Sequence, residues 1–391
     1  MNKKTIAIIG GGYAGIHAIK SIQKKVSKQE QFRLVLIDPR PSHVRKVLMF
    51  KPAVNEVDIT VPWEKLFPES VEIIEGAVTD INHQTKTIFY RNNRQETGIL
   101  PYEFAVVAVG SVIQQASPEQ GGISLSNSEA AMEIRNRWQS DLRRALQLSD
   151  SVERKRLMTI TVVGAGISGV ETSASLAEQM KQYAQDIGLQ PNNIRVHLIN
   201  SKERLFIEGN KRMSAKLEDL LTSMGVNVLH NTKAVQEKDG EVLLTTGEKI
   251  SSGLCVWTIG LIPNPVLASW SLPITENGRI KVDESYRVIG KAGIYSIGDC
   301  TRIVDPRNGA EDTMTCKEAT MQGKRLSKVI LADFYKRKAP VHKKTIATYC
   351  FGIGEKKGLV WIRFLKMNVI LSGKLGLYIR KLTWDMASLL K

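Results

Sequence analysis

A glycine triplet spaced Gly-x-Gly-x-x-Gly occurs twice in this chain of 391 residues, each time between a short apolar run and an amphipathic stretch. The first copy is Gly10, Gly12 and Gly15, and the second is Gly164, Gly166 and Gly169. Residues 5–9 read as a buried strand, residues 16–26 as a helix, and residues 32–37 as a strand that ends at Asp38. In the second copy the strand is 159–163, the helix 170–183 and the next strand 194–199. Strand, glycine turn, helix, strand is the opening of a doubly wound α/β sheet. The first glycine permits the tight turn. The second lets backbone N–H groups approach a diphosphate, and the third lets helix and strand pack closely. The helix N-terminus adds unpaired donors and a partial positive charge. One such triplet is a weak signal, whereas two in their full context imply two dinucleotides held by one protein. The expected fold class is α/β, with two Rossmann-like, three-layer dinucleotide-binding domains.

The two copies part at the acid. Asp38 can accept hydrogen bonds from a ribose diol. Asn200 stands at the matching place, followed by Ser201, Lys202, Glu203 and Arg204. Without a carboxylate, discrimination against a 2′-phosphate is lost, and Lys202 and Arg204 offer cations to receive one. Glu203 keeps the opposite reading open, so NADH and NADPH both remain candidates.

Length favours two or three domains. A chain with 42% hydrophobic and 24% charged residues is composed like a globular protein. Its 55 Lys and Arg against 39 Asp and Glu leave a formal net charge of +16, which favours anionic partners. Those are a phosphate-bearing cofactor, an acidic membrane surface or nucleic acid. No nucleic-acid module accompanies the charge, so no nucleic-acid partner is expected. Cys255, Cys300, Cys316 and Cys350 show no CxxC spacing. Neither a metal site nor a disulfide framework is expected, and reduced cytoplasmic thiols fit better. Residues 1–4 are like the start of a signal peptide, but the apolar run after them is short and ends in glycines. No stretch reaches the roughly 18 apolar residues of a membrane span.

Further landmarks follow the glycine turns. Residues 104–109 form an apolar strand ending at Gly110 and Ser111, and residues 254–259 form another ending at Gly260. Residues 278–283 read Gly-Arg-Ile-Lys-Val-Asp, and residues 293–300 close on Gly298, Asp299 and Cys300. In this order the motifs resemble those of the pyridine-nucleotide-dependent FAD oxidoreductases, over roughly residues 5–335. The resemblance implies FAD on the first unit and NAD(P)H on the second, which is inserted into the first. It implies that Gly10, Gly12, Gly15 and Asp38 serve the ADP half of FAD and that Asp299 holds its ribityl chain. Val78 would contact adenine through its backbone, and Gly110 and Gly260 would border the cofactors. Lys46, near His43 and Arg45, is placed either by the FAD phosphates or at the surface. The implied layout is an FAD-binding domain over 1–112 and 270–338, an NAD(P)H-binding domain over 113–269, and a C-terminal region over 339–391.

Within that family the chain is most similar to the type II NADH:quinone oxidoreductases and their apoptosis-inducing-factor-like relatives. No cysteine precedes Cys255, which argues against a dithiol relay beside the flavin. Glu171, after Gly169 and Val170, looks like the branch's acid near nicotinamide and quinone, with a role in proton delivery. Its alternative is an early helix acid favoured by the helix dipole. Residues 316–323 occupy the place of the helix that approaches the flavin pyrimidine ring, with Cys316 and Lys317 replacing the usual Ala-Gln pair. Lys317 could stabilise an anionic reduced flavin, or face water. The tail carries ten Lys or Arg and two acids between residues 341 and 391. There Leu375, Tyr378, Ile379, Leu382, Met386, Leu389 and Leu390 recur at helical spacing, with Lys374, Arg380, Lys381 and Trp384 among them. A basic amphipathic helix of this kind suits an anionic bilayer surface; the alternatives are the protein's own core or a second copy in a homodimer. The expected activity is hydride transfer from NAD(P)H to flavin and two electrons onward to a quinone. A soluble reductase of a small redox protein and a slow-turnover flavoprotein of the apoptosis-inducing-factor kind are the rivals. The expected location is the cytoplasm, peripherally on the inner face of the cell membrane.

Overall fold

The protein is described by a computed structural model covering residues 3–26, 31–68, 71–364 and 367–391. β1 (Lys4–Ile9) runs through the first glycine turn into α1 (Tyr13–Val26) and returns as β2 (Phe32–Asp38). β3 (Val71–Asn82), β4 (Thr87–Asn92) and β5 (Thr97–Pro101) are followed by β6 (Phe104–Val107). β7 (Ile123–Ser124) and α2 (Ser128–Gln147) lead to β8 (Thr159–Val163), α3 (Ile167–Asp186), β9 (Arg195–Ile199), α4 (Lys211–Met224), β10 (Val226–Leu229) and β11 (Leu254–Trp257). β12 (Ile294–Ser296) and α5 (Cys316–Phe334) precede the tail, which is β13 (Thr348–Ile353), β14 (Lys357–Phe364), β15 (Met367–Ser372) and α6 (Gly373–Ala387).

Two main sheets result. The first has seven strands in the order β12-β6-β1-β2-β3-β4-β5. Its core strands pair in parallel, and β3, β4 and β5 form an antiparallel extension. The second has five strands in the order β7-β11-β8-β9-β10, all parallel. β1 and β8 are central, and strand order reverses beside each. Crevices at such switch points are where open α/β sheets bind ligands. The runs Ile6–Ile9 and Thr159–Val163 are fully buried because helices or loops cover both faces of these strands. The first sheet recovers β12 from beyond the second, so the chain crosses from one sheet to the other and returns.

α5 lies against α1 because Gly323 has no side chain; a Cβ there would stand 2.6 Å from the Ala14 carbonyl oxygen. That close crossing brings the start of α5 to the mouth of the first glycine turn. His17 of α1 sits beneath the tail, its Nε2 3.0 Å from the Ala387 carbonyl oxygen.

The tail holds more than the helix expected there. β13, β14 and β15 pair antiparallel, a sheet that periodicity did not announce because Gly352, Gly354 and Gly358 interrupt its alternation. Phe351, Trp361 and Trp384 join the apolar core built by α2, α3 and the second sheet. The apolar residues of α6 are divided between two surfaces: Leu377, Trp384 and Ala387 are buried, whereas Leu375, Tyr378 and Met386 are exposed. Arg380, expected among the outward cations, points inward and is buried. No helix of the described residues is long and apolar enough to cross a membrane.

α6 is seated on its sheet by two glycines. A Cβ on Gly376 would come within 2.4 Å of the Gly358 carbonyl oxygen. We expect Gly376→Val to lift the helix and destabilise the tail by about 1–3 kcal/mol, as overpacking does. Urea unfolding followed by tryptophan fluorescence checks this, since Trp361 and Trp384 report the tail; an unchanged midpoint would contradict it.

Candidate functional site

The two glycine turns border a single cavity of about 480 Å³. Gly10, Gly12, Gly110, Gly298 and Asp299 line its first side, and Gly166, Thr258 and Gly260 line its second. Gly10 and Gly164 share the same left-handed backbone, φ +103 for each, which only glycine adopts without strain. Their N–H groups donate to the strand before the acid, Gly10 to the Ile37 carbonyl at 2.9 Å and Gly164 to the Ile199 carbonyl at 3.1 Å. Gly15 and Gly169 are packing glycines, since a Cβ would lie 2.0 Å from the Gly10 oxygen or 1.7 Å from the Gly164 oxygen. Gly166 and Gly110 face open space, where a Cβ would meet nothing within 4 Å. Bare backbone beside a helix N-terminus, twice over, fits two diphosphates. FAD on the first side and a nicotinamide dinucleotide on the second are therefore compatible with the residues present.

On the first side, Asp38 is buried and its carboxylate accepts from Gly11 N–H at 2.7 Å. Arg40 Nε and Nη2 donate to the two oxygens at 3.0 Å each, so this acid is braced by a cation as well as by the turn. His43 is buried, with Nδ1 2.9 Å from the Gly11 carbonyl oxygen. Lys46 lines the cavity rather than the outer surface, and its ammonium donates to the Ser111 carbonyl at 2.7 Å. Burial lowers its pKa. Ser111 Oγ donates in turn to Asp299 at 2.7 Å. Burial raises the Asp299 carboxyl, against the pull of Ser111, Lys46 and Arg279. Val78 lies on β3 with its side chain in the core; it is not among the cavity's lining residues.

On the second side, the residues after β9 are engaged with one another. The Asn200 amide donates to the Lys202 carbonyl at 3.1 Å, and its oxygen accepts from Lys202 N–H at 3.3 Å. Lys202 itself is exposed. Arg204 is not an open cation: its guanidinium donates to the carbonyls of Phe206, Ile207 and Gly209 and to Ser214 Oγ. The expectation that Arg204 receives a 2′-phosphate is corrected here, because a loop that turns back on itself needs its carbonyls satisfied.

The far wall comes from the tail. Glu171 is the fifth residue of α3, past the first turn, so the dipole reading does not account for it. Arg380 Nε and Nη2 donate to its two oxygens at 2.8 Å each, and Gly352 N–H donates at 2.7 Å. Both side chains are buried and both residues line the cavity. Burial alone would lower the Arg380 pKa, but Glu171 outweighs it and raises it. The guanidinium also lies 5.2 Å from the centre of the Trp384 ring. Tyr349 and Phe206 line the same wall with rings 4.6 Å apart. At the start of α5, Cys316 lines the cavity while Lys317 does not. The Lys317 ammonium donates to the Ile346 carbonyl at 2.6 Å and to Thr348 Oγ1 at 2.9 Å, and burial lowers its pKa. The expectation of a lysine at the flavin is corrected: Cys316 faces the cavity and Lys317 ties α5 to the tail. Burial raises the Cys316 thiol. Among the described residues no group of His, Cys, Asp and Glu converges as a metal site.

Arg380, Tyr349, Phe206 and His43 were not read from sequence as lining or shaping this cavity. A signal for Arg380 exists, since Leu377, Arg380, Trp384 and Ala387 recur along one helical stripe.

Comparisons with known proteins agree with this fold. The family described as "Pyridine nucleotide-disulphide oxidoreductase" matches residues 4–323. A type II NADH:quinone oxidoreductase of Haemophilus influenzae is 24% identical over 360 residues, spanning 85% of this chain and 81% of that protein. One from Staphylococcus aureus is 22% identical over 339 residues, spanning 84% and 82%. The solved structure of NDH2 from Plasmodium falciparum in complex with NADH superposes with a TM-score of 0.83 at 18% identity, covering 98% of this chain and 94% of that one.

Two outcomes follow from the buried charges. Arg380→Met leaves the Glu171 carboxylate buried without a countercharge, and should lose about 3–5 kcal/mol of stability. Adding Glu171→Gln should recover most of that loss; urea titrations of both variants check it. His17 and His43 are both pushed down to about 4, burial being the main cause. Each stays neutral in the folded protein while an unfolded imidazole takes up a proton near pH 6.5. Their contribution is complete above that pH and drains away as pH falls toward 4, on the order of 3 kcal/mol for each. Unfolding free energies at successive pH values should show the slope, and His17→Gln should flatten it.

Proposed function

The chain belongs to the pyridine nucleotide-disulphide oxidoreductase family, and from that premise we propose that it is an FAD-dependent NAD(P)H:quinone oxidoreductase of the type II NADH dehydrogenase kind. The observation that carries this reading is the single cavity bordered by both glycine turns, with a third wall supplied by the tail. When bound, FAD would supply the two-electron chemistry between the reduced nicotinamide and the quinone. The chain's own residues supply placement and charge. The first turn, with Asp38 and Asp299, would hold FAD, and the second turn with Gly260 would hold the nicotinamide dinucleotide. The FAD-binding unit comprises residues 1–112 and 270–338, and the nicotinamide unit residues 113–269.

The acceptor enters at the wall of Glu171, Arg380, Tyr349 and Phe206. Its aromatic rings suit a flat apolar ring, and Arg380 offers a cation where charge develops on the acceptor's oxygens. Glu171 accepts three hydrogen bonds and has no free oxygen. It acts first by positioning Arg380, and releases that pair if it is to pass a proton. Lys317 anchors the start of α5 to the tail, so that Cys316 presents to the flavin edge.

The outer face of the tail docks on an anionic membrane surface. Leu375, Tyr378 and Met386 on α6 are exposed at 54, 63 and 47%, beside Met367 at 61% and Phe364 at 48% on the neighbouring strands. Lys374, Lys381 and Lys391 are exposed on the same region. Each cation near such a surface contributes about 1 kcal/mol, and apolar insertion adds to it. On this reading the protein sits peripherally on the inner face of the cell membrane.

Stopped-flow reduction of the FAD-loaded protein by a reduced nicotinamide should bleach the flavin, and a soluble quinone should restore it. Bleaching without restoration by quinone would remove the acceptor assignment and favour a protein acceptor. Vesicles with anionic lipid should sediment the protein, and Tyr378→Glu with Leu375→Glu should weaken that at least about tenfold. If the double variant sediments unchanged, the face belongs to a second copy or to nothing.

A further inference from the structure

We infer that the second dinucleotide site accepts NADPH at least as readily as NADH, with Asn200 and Lys202 setting that choice. The inference rests on the reading that the second glycine turn holds a nicotinamide dinucleotide. It concerns the adenosine end of that ligand, away from the reacting ring.

The chain contains its own control. The two turns share backbone geometry, with the same φ at Gly10 and Gly164 and the same N–H donation to the strand end. The next residue differs. Asp38 directs a carboxylate back to the turn, where Gly11 N–H donates to it at 2.7 Å. A carboxylate at this place can accept from ribose hydroxyls and repel a phosphate at the 2′ position once the Arg40 pair that holds it is exchanged for them. Asn200 does neither. Besides its contacts to the Lys202 backbone, its amide nitrogen lies 2.8 Å from His230 Nδ1. The other ring nitrogen of His230 lies 3.1 Å from Glu218. A side chain from β9 is thus locked sideways onto the loop after β10, and it is 5% exposed. Among the described residues no hydrogen bond joins it to the second turn.

The absence of an acid removes the barrier to a 2′-phosphate, and Lys202 supplies the attraction. It follows the turn of the chain at Asn200 and is exposed, while its backbone is pinned on both sides by the Asn200 amide. Arg204 braces the remainder of that loop through carbonyls, which keeps residues 201–202 presented. Two acids stand in the loop: Glu208 lines the cavity, and Glu203 is 76% exposed and lies 3.8 Å from Arg204. The Glu203 charge is turned to that partner and to water.

The test uses the FAD-loaded protein and two readouts. Flavin reduction by NADPH and by NADH gives the ratio of their kcat/KM values. Calorimetry gives dissociation constants for 2′-phospho-ADP-ribose and ADP-ribose, which need no chemistry at the flavin. We expect NADPH to equal or exceed NADH in both. Asn200→Asp, nearly the same shape, should move the ratio toward NADH by at least about tenfold. Lys202→Ala, at an exposed position that leaves the lock intact, should weaken the phosphorylated ligand by about tenfold. A preference for NADH above about threefold in both readouts, or a ratio unmoved by both variants, overturns the inference. So does selective loss of NADH use in Glu203→Gln, which would assign the diol to that acid. If neither nucleotide bleaches the flavin, the proposed reaction fails, and the two dissociation constants still decide this point.

Discussion

A strand can hand the chain to a helix with its first N–H groups left bare only where no side chain stands in the way. That constraint, met twice, organises this protein. Gly10 and Gly164 take a left-handed turn that other residues enter only with strain, and Gly15 and Gly169 let the following helix touch the turn itself. The helices then stand with their N-termini over the strand ends, at the two places where strand order reverses. Everything else in the cavity is placed relative to these two corners. α5 reaches the first corner because Gly323 lets it ride on α1.

A strongly basic chain still buries carboxylates around its cavity, and each is held by a donor or a cation. Asp38 is held by Arg40 and the Gly11 N–H. Asp299 is reached through Ser111, which also receives Lys46. Glu171 is held by Arg380 and the Gly352 N–H. Burying an unpaired charge is costly, and removing one partner leaves that cost exposed. The Glu171 pairing therefore links second unit and tail, while the other two brace the first unit beside the same space. The tail's helix has two roles as a result. Its inner stripe lines the cavity with Arg380 and packs Trp384 into the core, and its outer stripe carries Leu375, Tyr378 and Met386 toward solvent.

The glycine corners were legible in the sequence because their requirement is local. Spacing, an apolar run before and an amphipathic run after are enough, and both units of the α/β fold followed from them. Asp299 and the strand ends at Gly110 and Gly260 were legible for the same reason: each is a short motif tied to the end of an apolar run. Asn200 was visible as the missing acid. The partners that fix its side chain were not, because His230 and Glu218 lie 30 and 18 residues further on and come together with it only through the packing of β9, β10 and α4.

The tail shows the division most clearly. Helical periodicity over residues 375–390 was a property of the chain alone, set by a repeat of 3.6 residues. Which stripe faces inward was decided by tertiary structure, since Arg380 belongs to the buried side only because Glu171, 209 residues away, waits there. The same holds for Lys317, adjacent to Cys316 yet turned to the tail rather than the cavity. Sequence by itself determined the two dinucleotide corners, because backbone conformation is a local matter. Tertiary structure alone decided which charges meet across the cavity, because an ion pair depends on distance through space and not along the chain.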